Sequence, residues 1–358
     1  MFKPLFCLVI FLGAIARTAM AENADTTILY FKVTDGVTAS VRSMDEADFF
    51  RLVLPPDSGD NRHNIQEFYK DGKIKLIGKT YEGTNAFNAT SGVIMFDGEC
   101  VSYYPTGKKM SITHYKHGFK DGLEYLFYPS GKVYCGIKHR VINQLGNTQV
   151  TNWECYDKDG NEICIAGNGK WIVYDKSYTT VNMEGQVTDG YMDGEWRGIV
   201  YFPDTIKFAY RYKKGKLVSS EGFDKNGNPY PFQNEFERAT YKSGPLVFLE
   251  ILRNRVKLPR DINGKKMLID TMHVSFVVER DGKLSQFGVS EDVNSQLKEA
   301  VFSALEKSNE WIPTKIYGIP YRTKIILPLS EISGWNTKYK GWESYHREIW
   351  YKESIIKD

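Results

Sequence analysis

The sequence predicts a mainly β protein, and three observations lead to this expectation. The 358-residue chain contains 23 tyrosines, 20 phenylalanines and 31 glycines, a composition that favours strands joined by tight turns. Short units that combine an aromatic residue with a glycine recur along the chain. Apolar and polar residues alternate between these units, as in residues 124–128. We therefore expect an elongated antiparallel meander of β-hairpins, followed by a small α+β domain.

Composition and charge exclude two broad classes of protein. Apolar residues make up 42% of the chain and charged residues 25%, values that are typical of folded globular proteins and exclude bulk disorder. The chain has 47 basic and 44 acidic residues, a formal net charge of +3. Such a balanced charge argues against nucleic acid as the main partner.

The first 21 residues have the pattern of a secretory signal. Lys3 provides the positive start, an apolar stretch follows, and Ala19-Met20-Ala21 forms a small-x-small cleavage site before Glu22. The apolar stretch is too short for a membrane span, because about 20 residues are needed to cross the hydrocarbon core. We expect a protein exported to the periplasm or the outer membrane, with no stable membrane span after cleavage.

Cleavage between Ala21 and Glu22 can be checked directly. Intact-mass measurement of the exported protein should give a chain that begins at Glu22. An uncleaved chain in the membrane fraction would contradict the prediction and would favour a membrane-anchored protein.

A five-residue unit, Tyr-x-x-Gly-Lys, is repeated in the middle of the chain. It occurs at residues 69–73, 104–108, 128–132 and 212–216, and longer variants occur at 156–161 and 223–228. Glycine adopts positive φ in tight turns, and the aromatic residue ends the strand that precedes each turn. One hairpin cannot bury its apolar face alone, so the units are expected to pair side by side.

These repeats resemble MORN-type repeats, in the divergent form of secreted Bacteroidota proteins and of the YwqK-like antitoxin family. The residues that carry the resemblance are Tyr115-Lys116-His117-Gly118 with Asp121-Gly122, and the stretch from Tyr191 to Gly198. The resemblance implies an architecture more than an activity, because the functions of the family are diverse.

The last hundred residues predict a different, β-β-α-β order. Residues 272–279 and 284–290 alternate as strands around a turn at 280–283, and Tyr321 begins a last strand that ends at Leu327. Apolar residues at helical spacing predict a helix over 295–307, with Asn294 as its N-cap. Trp311, which follows this helix, is expected to anchor the core.

This order and its landmarks are similar to the TonB C-terminal domain, over residues 241–330. The landmarks are Leu258-Pro259, Val274, Phe276, Val278, Asp281-Gly282-Lys283, Val289, Leu297, Ala300, Trp311, Pro313, Gly318, Pro320 and Pro328. Two positions depart from the family: Leu258 replaces the usual tyrosine, and the final aromatic residue after Pro328 is missing.

The resemblance implies that an exposed edge strand pairs with an extended peptide of a protein partner. The implied partner-binding residues are Tyr321, Arg322, Thr323, Lys324, Ile325 and Ile326. The alternative is that Arg322 and Lys324 are charges that protect an inert edge from pairing.

The resulting domain boundaries are 1–21 for the signal, 22–95 for an N-terminal β region, 96–235 for the repeats, 241–330 for the TonB-like domain and 331–358 for an aromatic tail. No catalytic or metal-binding motif is recognisable, and no cofactor is expected. We expect a non-catalytic binding or scaffold protein of the cell envelope. The alternatives are a TonB-type energy transducer or its accessory, and an antitoxin-like or carbohydrate-binding surface on the repeats.

Four cysteines follow the signal: Cys100, Cys135, Cys155 and Cys164. The first two are expected on the first and fourth strands of one meander, about 14 Å apart, which is too far for a bridge. A two-residue turn at Asp159-Gly160 would place Cys155 opposite Cys164, where a disulfide is feasible. A longer turn would shift the register and leave both thiols free.

Overall fold

The computed structural model describes residues 26–81, 94–143, 146–256, 271–289, 295–308, 310–330 and 352–356. Within these ranges the chain forms 26 strands and two helices, so the mainly β class is confirmed. The chain divides into two compact units. The first unit extends to Ile172 and also includes Lys176–Thr179 and Gln186–Met192. The second unit consists of Val173–Asp175, Thr180–Gly185 and the chain from Asp193 onwards.

Seventeen strands form one antiparallel meander sheet. They are β1 (Thr27–Thr34), β2 (Val37–Val41), β3 (Phe49–Leu54), β4 (His63–Tyr69), β5 (Ile74–Thr80), β6 (Gly98–Tyr103), β7 (Lys109–Lys116), β8 (Phe119–Phe127), β9 (Val133–Val141), β10 (Thr148–Tyr156), β11 (Glu162–Ile165), β12 (Asn168–Tyr174), β13 (Val181–Thr188), β14 (Tyr191–Val200), β15 (Ile206–Lys213), β16 (Lys216–Phe223) and β17 (Pro229–Pro231). β1 pairs with both β2 and β3, and β3 to β12 pair each with the next.

The five-residue turns that the repeats predict are present. At 69–73, 104–108, 128–132, 157–161 and 224–228, the first residue donates its N–H to the carbonyl of the fifth, and the glycine N–H returns to the first carbonyl, at 2.8–3.2 Å. The fourth-position glycines have φ of 81° to 92°, a region that only glycine adopts without strain.

Three of the predicted units differ in detail. The longer variants begin one residue later than expected, so an aspartate, Asp157 or Asp224, takes the first position in place of the aromatic residue. The carboxylate of each aspartate accepts hydrogen bonds from N–H groups of the turn. The unit at 212–216 is not a five-residue turn. Lys213 pairs directly with Lys216, and Lys214-Gly215 forms a two-residue turn with positive φ at both positions.

The C-terminal elements surround a second core. They are β18 (Phe236–Glu237), β19 (Thr240–Tyr241), α1 (Pro245–Arg255), β20 (Thr271–Val278), β21 (Leu284–Val289), α2 (Ser295–Glu306), β22 (Trp311–Ile312), β23 (Thr314–Ile316), β24 (Ile319–Tyr321), β25 (Thr323–Ser330) and β26 (Lys352–Ile355). β18 and β19 pair with β23 and β22, so this module begins earlier than residue 241.

The core of this module joins both helices to the sheet. Phe248 and Leu252 of α1, Leu297 and Leu305 of α2, and Phe276 of β20 belong to one buried cluster. The predicted helix over 295–307 is confirmed to within one residue. The sequence analysis did not anticipate α1, which begins with Pro245 after Gly244. Leu258-Pro259 and Asn294 lie outside the described residues.

Candidate functional site

The sequence places the partner-binding residues on the last strand of the C-terminal domain. In the structure Thr323, Lys324, Ile325 and Ile326 lie in β25, whereas Tyr321 ends β24 and Arg322 separates the two strands. The sheet that contains β25 has the order β21-β20-β25-β26. Four of the six predicted residues therefore lie in an inner strand of this four-stranded sheet, and Tyr321 belongs to the separate sheet formed by β18, β23 and β24.

The expectation that β25 is a free edge is wrong, because both of its sides are paired. β20 pairs with it over eight positions, from Thr271 opposite Ser330 to Val278 opposite Thr323. On its other side β26 pairs over four positions, from Thr323 opposite Ile355 to Ile326 opposite Lys352. The Ile356 N–H also donates to the Arg322 carbonyl at 3.0 Å. Lys-Glu-Ser-Ile has no strong strand pattern, so β26 could not be predicted from its own residues.

Side chains of β25 alternate between the core and the opposite face. Thr323, Ile325 and Leu327 are buried, with Ile325 completely inaccessible, whereas Lys324 is exposed and Ile326 is half-buried. Ile325 and Leu327 belong to the core cluster, which fixes the strand in place. Partner pairing along β25 would therefore use backbone groups, with Lys324 and Ile326 able to contact the partner's side chains.

Arg322 is engaged by a carboxylate and is not simply a protective surface charge. Its Nε and Nη2 donate to the two oxygens of Glu279 at 2.6 and 3.0 Å. The hydrogen bond from Arg322 holds the pKa of Glu279 below its usual value, and burial opposes this shift. The Ser285 hydroxyl also donates to Glu279. This pair ties the start of β25 to the end of β20.

The repeat sheet contains two buried charge clusters that the sequence analysis did not find. In one, Arg51 is paired with Glu67 while both side chains are almost inaccessible. In the other, the buried carboxylate of Glu124 accepts hydrogen bonds from Thr113 Oγ1 at 3.1 Å and His139 Nε2 at 2.8 Å, and pairs with Lys120.

Burial raises the pKa of Glu124, but the hydrogen bonds from Lys120 and His139 outweigh it, so the pKa lies below its usual value. Glu124 is therefore a charged, fully engaged structural carboxylate. It lacks the raised pKa of a general acid.

The face of the sheet formed by β14, β15 and β16 carries a groove of about 650 Å³. Small Ala209 lies opposite Arg197 and Glu221 on the neighbouring strands, and ion pairs join Glu195 to Arg197 and Arg211. The lining combines these paired charges with Lys207 and with the apolar side chains of Ile199 and Phe223.

Three of the cysteines lie in one row. Cys155 of β10 is the cross-strand partner of Cys135 in β9 and of Cys164 in β11. The turn before β11 has five residues, so the longer of the two alternatives applies, but an irregularity beside Tyr156 still places Cys155 opposite Cys164. All four cysteines are free and buried, and Cys100 and Cys135 lie on β6 and β9, three strand spacings apart.

No group of histidine, cysteine and carboxylate side chains among the described residues could hold a metal ion. In the same part of the chain no helix is long and apolar enough to cross a membrane. Ala21 and Glu22 of the predicted cleavage site and residues 331–351 of the aromatic tail lie outside the described residues. Comparison with known proteins yields no matching family model and no matching curated protein.

Proposed function

We propose that this protein is a non-catalytic binding protein of the cell envelope that takes up an extended segment of a protein partner alongside β25. The observation that carries the proposal is the pairing of β25 with β26. A short segment from the far end of the chain adds to this side of the sheet as an antiparallel strand. Strand addition of this kind supplies affinity through main-chain hydrogen bonds.

Within the described residues, β26 covers only part of the outer side of β25. β25 extends over eight residues and β20 pairs with all of them, whereas β26 pairs only with the first four. Within the described residues, Leu327 to Ser330 have no strand partner on that side. A partner segment of up to eight residues could form more hydrogen bonds than β26 and could replace it.

Two further features support the proposal. Burial of Ile325 and Leu327 in the core, together with the Arg322–Glu279 pair, holds β25 rigid. Binding of a partner therefore costs little conformational entropy in this strand. The resemblance of this region to the TonB C-terminal domain favours the same mode of binding, and the signal-like start favours the envelope as its location.

Removal of β26 is expected to make the binding edge accessible. We compare the chain that begins at Glu22 with the same chain ended after residue 351, using a fluorescein-labelled peptide of residues 350–358 as the probe. The dissociation constant measured by fluorescence anisotropy should be lower for the shortened chain than for the full chain by about tenfold or more. In the full chain β26 is tethered beside β25 and competes with the peptide at high effective concentration. Equal binding to both chains, or none to the shortened one, would contradict the proposal.

Proline substitutions in the probe give a matched control. Ile356 donates its N–H to β25, so by alternation the Ser354 N–H also faces β25, whereas the Glu353 N–H faces away. Ser354→Pro in the peptide should therefore abolish binding, and Glu353→Pro should weaken it much less. Similar losses from the two substitutions would indicate contact through side chains instead of strand addition.

A further inference from the structure

The row of three cysteines on β9, β10 and β11 offers a choice of pairs for a disulfide. Directly opposed residues on adjacent strands project from the same face, so the three side chains lie in line across the sheet. Each of them is no more than 1% exposed. Cys155 is central and can form a bond with one neighbour only.

The two candidate pairs differ in their backbone hydrogen bonding. In an antiparallel sheet the N–H and C=O groups of one residue both point to the same neighbouring strand, and those of the next residue point to the strand on the other side. Every second residue therefore forms hydrogen bonds with the same neighbour. The Trp153 carbonyl accepts from Gly167 N–H, and Asp157 N–H donates to the Asn161 carbonyl. The backbone groups of Trp153 and Asp157 therefore point towards β11. Cys155 is two residues from each of them, so its backbone groups point towards β11 as well. Cys155 and Cys164 form a hydrogen-bonded pair.

An independent observation on β9 gives the orientation of Cys135. The Ile142 N–H donates to the Asn147 carbonyl in the turn that leads into β10, so Ile142 faces β10. Counting back in alternate steps, even-numbered residues of β9 face β10 and odd-numbered residues, including Cys135, face β8. The backbones of Cys135 and Cys155 thus face away from each other, and the two residues form a non-hydrogen-bonded pair.

This difference in pairing determines which sulfurs can meet. Cβ atoms in non-hydrogen-bonded pairs are the closer ones, near the lower end of about 4.5–5.5 Å, and a disulfide requires about 3.5–4.5 Å. We propose that Cys135 and Cys155 form a disulfide when the protein folds in the presence of a disulfide-bearing oxidant, and that Cys164 remains a thiol.

The chemistry is thiol–disulfide exchange. One cysteine thiol loses its proton and attacks the oxidant disulfide, which releases one oxidant thiol and forms a mixed disulfide. The second cysteine then attacks the mixed disulfide, forms the Cys135–Cys155 bond and releases the second oxidant thiol. The protein loses two electrons and two protons, and the oxidant is reduced to two thiols.

The environment of the pair implies that the exchange reaction begins before folding has buried the two thiols. Burial raises the pKa of the Cys155 thiol to about 11 and that of Cys135 well above its usual value, so little thiolate is present in the folded protein. The same burial protects the bond from reduction afterwards.

Refolding under redox control tests this assignment. The reduced, unfolded chain is refolded in a mixture of reduced and oxidised glutathione, free thiols are blocked, and the product is digested with trypsin and analysed by mass spectrometry. Trypsin places the four cysteines on separate peptides, at residues 80–108, 133–138, 141–158 and 159–170. We expect 133–138 linked to 141–158. A dominant link between 141–158 and 159–170, any link to 80–108, or no link at all would overturn the assignment.

Single alanine variants provide the controls. Cys164→Ala should keep the link and its equilibrium with glutathione. Cys135→Ala leaves only the hydrogen-bonded pair, and its oxidation equilibrium constant should fall by about tenfold or more. The oxidised wild-type protein should also unfold at a higher temperature than the reduced one, because the bond closes a loop in the unfolded chain. Equal equilibrium constants for the two variants would show that the backbone pairing does not select the partner.

Discussion

Replacement of Trp311 by alanine is expected to lower the free energy of unfolding of the C-terminal module by about 3–5 kcal/mol. Trp311 is only 7% exposed, and its ring lies among those of Tyr241, Phe248 and Phe276, with centroid separations of 5.9, 4.8 and 5.3 Å. These partners come from β19, α1 and β20. One side chain thus joins three elements that are distant in sequence, and its loss leaves a cavity between them.

Trp311→Phe is the matched control for this experiment. The Trp311 indole N–H is buried and has no hydrogen-bond partner among the described residues, so phenylalanine removes ring volume without breaking a hydrogen bond. We expect Trp311→Phe to lose much less stability than Trp311→Ala, as measured by urea unfolding monitored by circular dichroism. A loss below about 1 kcal/mol for Trp311→Ala would contradict the burial of this side chain.

The turns were the most predictable part of the fold. A glycine at a fixed position after an aromatic residue has a local physical cause, positive φ, and the five-residue turns at 69–73, 104–108 and 128–132 follow from it. The pairing of Cys155 with Cys164 depends instead on the irregularity beside Tyr156. A bulge shifts the register by one residue, and the unbroken apolar run Ile163-Cys164-Ile165 does not show where the extra residue lies.

The elements that the sequence analysis missed depend on distant contacts. α1 contains the run Leu246-Val247-Phe248-Leu249, which is apolar without division into faces and fits a buried strand as well as a helix. β26 has four residues and is a strand because β25 pairs with it. The strand β25 could therefore be predicted from the sequence, whereas the strand that pairs with its outer side could not.

The largest electrostatic effect is expected in the first unit, where Glu67→Gln should lower the free energy of unfolding by about 3 kcal/mol or more. Arg51 Nε and Nη2 donate to one oxygen of Glu67 at 2.9 and 2.6 Å, and Lys75 pairs with the other oxygen. Glu67 is the carboxylate that both cations contact. The amide has nearly the same shape, so the loss reports the charge and not a cavity.

The cations of this cluster also lie over aromatic rings. The Arg51 guanidinium is 4.4 Å from the centre of the Phe31 ring and the Lys75 ammonium is 3.9 Å from that of Phe49, while the two rings stack on each other. Cation–π attraction favours these positions, and the Arg51 guanidinium, on a side chain that is only 3% exposed, cannot move far to water when the carboxylate is neutralised. This rigidity is the reason that the expected loss is large.

Two variants separate a buried charge effect from a general weakening of the hairpin. Lys73→Ala removes the exposed ion pair with Asp71 in the turn between β4 and β5, the strands that carry Glu67 and Lys75. The midpoint of urea unfolding of this variant should equal that of the wild type within error. Arg51→Met combined with Glu67→Leu removes the buried pair as a whole and should recover most of the stability lost in Glu67→Gln, because no uncompensated guanidinium remains. If the double variant were less stable than Glu67→Gln, the pair itself would be a net source of stability, and the expected effect of an unpaired buried cation would be wrong.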